Sequence, residues 1–114
     1  MLIALLSSGK GTWGHVSRLL SGYDKVHLLT NDFGKEKFTA EGDVTIHDVL
    51  EERDPAALKT AIANVLRPVL LEELEVDVNI TSGSGTEHMA IIAALFELGV
   101  GFRLVYADDG VKPL

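Results

Sequence analysis

Cysteine is absent from the 114 residues, which excludes a disulfide framework, a thiolate zinc site and a cysteine nucleophile. No apolar run approaches the roughly 18 residues of a membrane-spanning helix, and the apolar residues 1–6 are too few for a signal peptide. Basic residues are scarce: 10 Lys and Arg stand against 17 Asp and Glu, a net charge of −7 that disfavours binding of duplex nucleic acid. We therefore expect a cytoplasmic protein that binds neither a membrane nor a nucleic-acid duplex.

Short apolar segments alternate with amphipathic ones along the chain. The apolar segments predict five strands, at 2–6, 26–30, 44–49, 76–81 and 102–106. Helical spacing predicts helices over 13–20, from Pro55 onward, and over 86–98. This alternation predicts an α/β fold, a Rossmann-like three-layer sandwich whose mostly parallel five-stranded sheet has the order 3-2-1-4-5. We assign residues 1–107 to this domain and residues 108–114 to a tail or the start of a linker.

Two small, hydroxyl-rich and glycine-rich turns follow strands 1 and 4, at residues 7–12 and 82–86. In the predicted strand order the winding reverses between these strands, and ligands of such sheets bind in the crevice at that point. Glycine permits close approach of a ligand, and a helix N-terminus offers N–H groups to an anion. The two turns therefore predict a site for a phosphate-bearing or otherwise polar ligand. Because Ser, Thr and Gly also favour short turns for structural reasons, a structural or interaction domain with empty turns stays open.

The first turn also fits a dinucleotide fingerprint. Gly9, Gly11 and Gly14 have the spacing Gly-x-Gly-x-x-Gly after a strand, and Asp32 follows strand 2, where such folds hold the ribose. An NAD(P)- or nucleotide-binding domain of an enzyme is therefore the alternative function. The four histidines show no metal-ligand spacing, so we expect no metal and no resident cofactor.

Residues 79–89, Asn-Ile-Thr-Ser-Gly-Ser-Gly-Thr-Glu-His-Met, run into an Ala-rich helix, Gly99 and a strand ending at Tyr106. This segment resembles the strand 4 motif of CARF domains, the Rossmann-like sensors of type III CRISPR defence. The segment 28–31, which closes strand 2, is also similar. The resemblance implies a homodimer that binds a cyclic oligoadenylate across its two-fold axis, in some members with slow ring cleavage. Glu87 stands where the family commonly has a basic residue.

The turns and the resemblance together give the predicted ligand contacts, whereas catalytic residues stay unassigned and ring cleavage stays open. They are Ser7, Ser8, Gly9, Lys10, Gly11, Thr12, Asn31, Ser82, Gly83, Ser84, Gly85 and Thr86. The helix at 89–98 is apolar on all sides, whereas a helix that covers one face of a sheet needs a single apolar stripe. This helix therefore also predicts a homodimer.

Overall fold

The computed structural model describes residues 1–7 and 10–114. Their elements are β1 (Leu2–Leu6), α1 (Trp13–Leu20), β2 (Val26–Thr30), α2 (Asp32–Lys37), β3 (Val44–Asp48), α3 (Pro55–Leu66), β4 (Glu75–Asn79), α4 (Gly85–Leu98), β5 (Gly101–Ala107) and β6 (Val111–Pro113). A 3-10 turn at Lys10–Thr12 leads into α1. In this described part of the chain, no helix is both long and apolar enough to cross a membrane.

The strands of the described residues form one sheet with the order β3-β2-β1-β4-β5-β6. Pairing is parallel from β3 through β5 and antiparallel between β5 and β6. The predicted α/β class and the order 3-2-1-4-5 are thus confirmed, with a sixth strand added at the edge. The winding reverses between β1 and β4, so the crevice expected for a ligand opens at the carboxyl ends of these two strands.

The added strand β6 lies in the segment 108–114, which the sequence indicated as a tail or the start of a linker. Asp109 and Gly110 have φ values of 50° and 104°, and they turn the chain back against β5. Such φ values suit Gly and, among other residues, Asp and Asn. Pro113 has no N–H group to donate, which restricts β6 to the edge of the sheet.

Both faces of the sheet are covered by hydrophobic clusters, and β1 contributes to each. Ile3 and Leu5 face the cluster of α3 and α4, whereas Leu2, Ala4 and Leu6 face that of α1. All five side chains are fully buried, as is usual for a central parallel strand. The start of the first turn is therefore held by packing on both sides.

Helix α2 begins directly against the ends of β1 and β2. The Thr30 hydroxyl donates a hydrogen bond of 2.5 Å to the carbonyl oxygen of Leu6. A Cβ atom at Gly34 would overlap that hydroxyl and would lie 3.4 Å from the same carbonyl oxygen. Glycine at position 34 therefore allows the close approach of α2, which brings Phe33 against Trp13 beside the first turn.

Candidate functional site

The two predicted turns lie side by side at the carboxyl edge of the sheet. β1 pairs with β4 so that Ala4 is opposite Asn79. Ser7 and Ser82 each follow these paired residues by three positions, so the two turns begin close together. The Ser82 hydroxyl accepts a hydrogen bond from Ser7 N at 2.8 Å and donates one to Ser7 O at 3.0 Å. Both serines are buried. This pair of bonds ties the turns together, so the Ser82 hydroxyl has partners within the protein.

The second turn enters α4 through a capping box. Ser84 Oγ accepts from Glu87 N at 3.2 Å, and Glu87 Oε1 accepts from Ser84 N at 2.8 Å. The same carboxylate oxygen accepts a 2.6 Å hydrogen bond from Ser7 Oγ. Gly83 has a φ of 109°, and a Cβ atom there would lie 3.2 Å from Glu87 Oε1. The glycine therefore leaves room for the Glu87 carboxylate to reach the first turn.

The Glu87 carboxylate places a negative charge between the two turns. It opposes a phosphate group there, whereas the N-terminal N–H groups of α4 favour one. Gly85 and Thr86 supply such groups, and no heavy atom lies within 4 Å of a Cβ atom built on Gly85. These N–H groups are therefore the part of the second turn that suits an anion, whereas the Glu87 carboxylate disfavours one.

The first turn is described only in part. Gly11 is exposed, and no heavy atom lies within 4 Å of a Cβ atom built there. The buried atoms Thr12 Oγ1 and Trp13 Nε1 have no hydrogen-bond partner among residues 1–7 and 10–114. A buried polar group without a partner costs about 1–3 kcal/mol. Three predicted contacts lie outside the described residues and side chains: Ser8, Gly9 and the side chain of Lys10.

No family model matches this chain, and neither does any curated protein. Among solved structures the chain is similar to the C-terminal domain of a hydrogenase from Pyrococcus furiosus. The identity is 16%, the TM-score is 0.42, and the match covers 90% of this chain and 89% of that domain. A likeness of that level assigns neither a family nor a function.

Asn31, the remaining predicted contact, follows β2 at the same edge of the sheet. Its Oδ1 accepts a hydrogen bond of 2.9 Å from Gly34 N, and the residue is the N-cap of α2. The structure thus brings together Ser7 and the whole second turn, and it gives Asn31 a capping role at the end of the neighbouring strand. Asn31 as a ligand contact stays a prediction.

Arg53 is a candidate site residue that the sequence analysis missed. With Glu52, Ser84, Thr86 and Glu87 it lines a cavity of about 330 Å³ beside the second turn, so its positive charge faces two acidic residues there. The Arg53 side chain forms no ion pair in the described part of the chain, and its guanidinium suits a phosphate group. Its place depends on the path of the loop from β3 to α3, and no local pattern of the sequence indicates that path.

Three exposed carboxylates meet beyond the end of β2. The carboxyl groups of Asp32, Asp48 and Glu51 offer oxygens that all lie within 4.8 Å of one another. The pKa of Asp48 is raised, first by a hydrogen bond with the Asp32 carboxyl group, then by burial and by the charges of Asp32 and Glu51. Exposed acidic groups of this kind are common at protein surfaces, and we assign no ion to them.

A further cavity, of about 520 Å³, opens at the opposite edge of the sheet. His27 lines it, and His27 Nδ1 lies 2.9 Å from His47 Nε2 on the neighbouring strand. Burial lowers the pKa of both imidazoles, and for His27 the nearby His47 and Lys25 lower it further, against Asp43. One imidazole must therefore donate and the other accept in a neutral pair. This cavity lies away from the two turns.

The lowered pKa values of His27 and His47 predict that the free energy of unfolding decreases in acid. The unfolded histidines take up protons as the pH falls below about 6.5, whereas the folded ones resist protonation until a lower pH. The two histidines therefore make their full contribution to the free energy of unfolding above about pH 6.5, and this contribution is lost as the pH falls towards and through their pKa values in the folded protein. We expect thermal unfolding between pH 7.5 and about pH 5 to show this loss, with a weaker dependence in His27→Gln/His47→Gln than in the control His15→Gln. An equal pH dependence in both variants would contradict the prediction.

Proposed function

We propose that this chain is a ligand-sensing module of the CARF type, which binds a cyclic oligoadenylate at the carboxyl edge of its sheet. The observation that carries the proposal is the meeting of the two polar turns at the reversal point, tied by the hydrogen bonds between Ser7 and Ser82. Ligands of open α/β sheets bind at this place. The proposal places the protein in the cytoplasm, in agreement with its lack of cysteine.

The phosphate groups of the ligand are proposed to bind at the start of α4. The backbone N–H groups of Gly85 and Thr86 lie there, and Arg53 lines the adjacent cavity. The net charge of −7 gives no long-range attraction for an anion, so affinity depends on these local groups. Lys10 stays a predicted contact of the same kind from the first turn.

A second copy of this chain is proposed to cover the outer face of α4. Met89, Ile92, Ala93 and Phe96 have the spacing of one helical stripe, and Met89 and Phe96 are 61% and 72% exposed. The Phe96 ring contacts that of Phe102 in β5, with centroids 5.7 Å apart, so the apolar surface extends from α4 to β5. Met89 follows the second turn by one helical turn, so the proposal requires a two-fold axis that passes near Met89, which brings the two copies of that turn towards each other.

The dinucleotide alternative is favoured by one observation, the position of Asp32. This residue is the first of α2, directly after β2, and its carboxylate is exposed. In dinucleotide-binding folds an acidic residue at this place accepts hydrogen bonds from the ribose. The alternative therefore predicts NAD or NADP binding that Asp32→Ala weakens by about 1–3 kcal/mol.

Titration calorimetry with the full chain separates the two proposals. We expect cyclic tetra-adenylate or cyclic hexa-adenylate to bind with one ligand per two chains, and NAD and NADP to give no heat of binding. Arg53→Gln is expected to weaken cyclic oligoadenylate binding about tenfold, because a charged hydrogen bond is worth about 1.5–3 kcal/mol. Arg67→Gln, an exposed arginine at the C-terminal end of α3, is the matched control. Binding of NAD alone, or of neither ligand, would reject the sensor proposal.

A further inference from the structure

An aromatic pair flanks the first turn. The rings of Trp13 and Phe33 have centroids 5.6 Å apart and planes inclined by 45°, and the Phe38 ring contacts the indole edge to face with centroids 5.8 Å apart. Phe33 is 46% exposed, whereas Phe38 is buried. The partly exposed ring of Phe33 thus packs against Trp13, which Phe38 contacts in turn, and this packing restricts the motion of the ring.

The surroundings of Phe33 restrict what can lie on this surface. Asp32 precedes it in α2, and the carboxyl groups of Asp48 and Glu51 lie beside that of Asp32. The Asp32 N–H also donates a hydrogen bond of 2.8 Å to Glu51 Oε1, which fixes this carboxylate at the start of α2. Three carboxylates repel a phosphate group but accept hydrogen bonds from amino and hydroxyl groups. A ligand bound here is therefore expected to place a neutral group with hydrogen-bond donors against Phe33 and its phosphate groups near α4.

We propose that Phe33 stacks on the nucleobase of the ligand, and that the exocyclic amino group of this base faces the carboxylates of Asp32, Asp48 and Glu51. The inference rests on the proposed function, because a cyclic oligoadenylate at the turns carries such a base. It is supported by the buried polar atoms of Thr12 and Trp13, which have no partner among the described residues next to the aromatic pair. Aromatic side chains are the usual stacking surface for a base that is not paired in a duplex.

The test uses Trp13, the single tryptophan of the sequence, as the reporter of the stacking site. Titration of the full chain with adenosine 5′-monophosphate is expected to change the tryptophan fluorescence in a saturable way. Inosine 5′-monophosphate carries a carbonyl oxygen in place of the amino group and is expected to bind at least about fivefold more weakly, because the carboxylates then face an acceptor. Equal binding of the two nucleotides would overturn the assigned role of the carboxylates.

Variants of Phe33 separate stacking from simple packing. Phe33→Ala is expected to weaken binding of adenosine 5′-monophosphate about tenfold or more, whereas Phe33→Tyr keeps the ring and is expected to keep the affinity. Leu71→Ala removes an exposed apolar side chain at the opposite edge of the sheet, away from the turns and from the proposed dimer face, and is the control. Circular dichroism of each variant checks that the fold is retained. An unchanged affinity in folded Phe33→Ala would overturn the inference.

The two proposals fail in different ways. If calorimetry shows that cyclic tetra-adenylate binds wild type and Phe33→Ala equally well, the stacking inference is wrong and the sensor proposal stands. If adenosine 5′-monophosphate changes the fluorescence of wild type but not of Phe33→Ala, and no cyclic oligoadenylate binds, the stacking site stands and the sensor proposal is wrong.

Discussion

Leu95→Asp is expected to leave the chain unfolded, whereas Phe96→Asp, one residue further along α4, is expected to give a folded monomer. Adjacent residues of a helix point about 100° apart. Leu95 is fully buried in the cluster between α4 and the sheet, whereas Phe96 is 72% exposed on the proposed dimer face. An unpaired charge at a buried position costs several kcal/mol, a large part of the about 5–15 kcal/mol that stabilises a typical domain. The same charge at position 96 is solvated, and it destabilises only the association of two apolar faces.

Circular dichroism and light scattering measure the two outcomes separately. Wild type and the control Ser17→Asp, which adds a charge to an exposed position of α1, are expected to be folded dimers. Phe96→Asp is expected to keep the spectrum and to halve the mass. A monomeric wild type, or a dimeric Phe96→Asp, would show that the outer face of α4 does not hold a second copy.

The strand order could be predicted because each element carries its own periodicity and the topology rules leave few arrangements. β1 is a short apolar run, buried on both faces, and α4 ends at Gly99 with a φ of 73°. β6 could not be predicted in this way. Three residues carry no usable periodicity, and Val111–Pro113 becomes a strand because β5 offers a free edge and the turn at Asp109 and Gly110 directs the chain to it.

The position of the candidate site could be predicted from the strand order, but the arrangement of its side chains could be predicted only in part. Ser84 and Glu87 have the spacing of a capping box, and this local signal could have indicated that the Glu87 carboxylate faces back along the turn. Its hydrogen bond with Ser7 joins residues 80 positions apart, and no local pattern indicates it. The same holds for Phe33, whose place beside Trp13 depends on the contact between Gly34 and Thr30.

Removal of the negative charge of Glu87 is expected to strengthen binding of cyclic tetra-adenylate. Glu87→Gln keeps a side-chain oxygen that accepts from Ser84 N and Ser7 Oγ, so the capping box and the link between the turns are retained. The variant no longer repels a phosphate at the start of α4. A unit charge about 5 Å away contributes roughly 1–3 kcal/mol at the effective dielectric of a protein surface. We therefore expect at least about fivefold tighter binding by calorimetry, with a smaller gain at high salt because ions screen the repulsion.

Glu97→Gln is the control for this prediction, because Glu97 lies on the same helix about 15 Å along its axis from Glu87, beyond the screening length at physiological salt. Its ion pair with Lys59 is at the surface, so little stability is lost with it. Glu87→Lys reverses the charge but removes the acceptor of the capping box, and it is expected to combine tighter binding with a loss of about 1 kcal/mol in stability. Weaker binding by Glu87→Gln would mean that the carboxylate accepts a hydrogen bond from the ligand. In that case a hydroxyl or amino group, and not a phosphate, lies between the two turns.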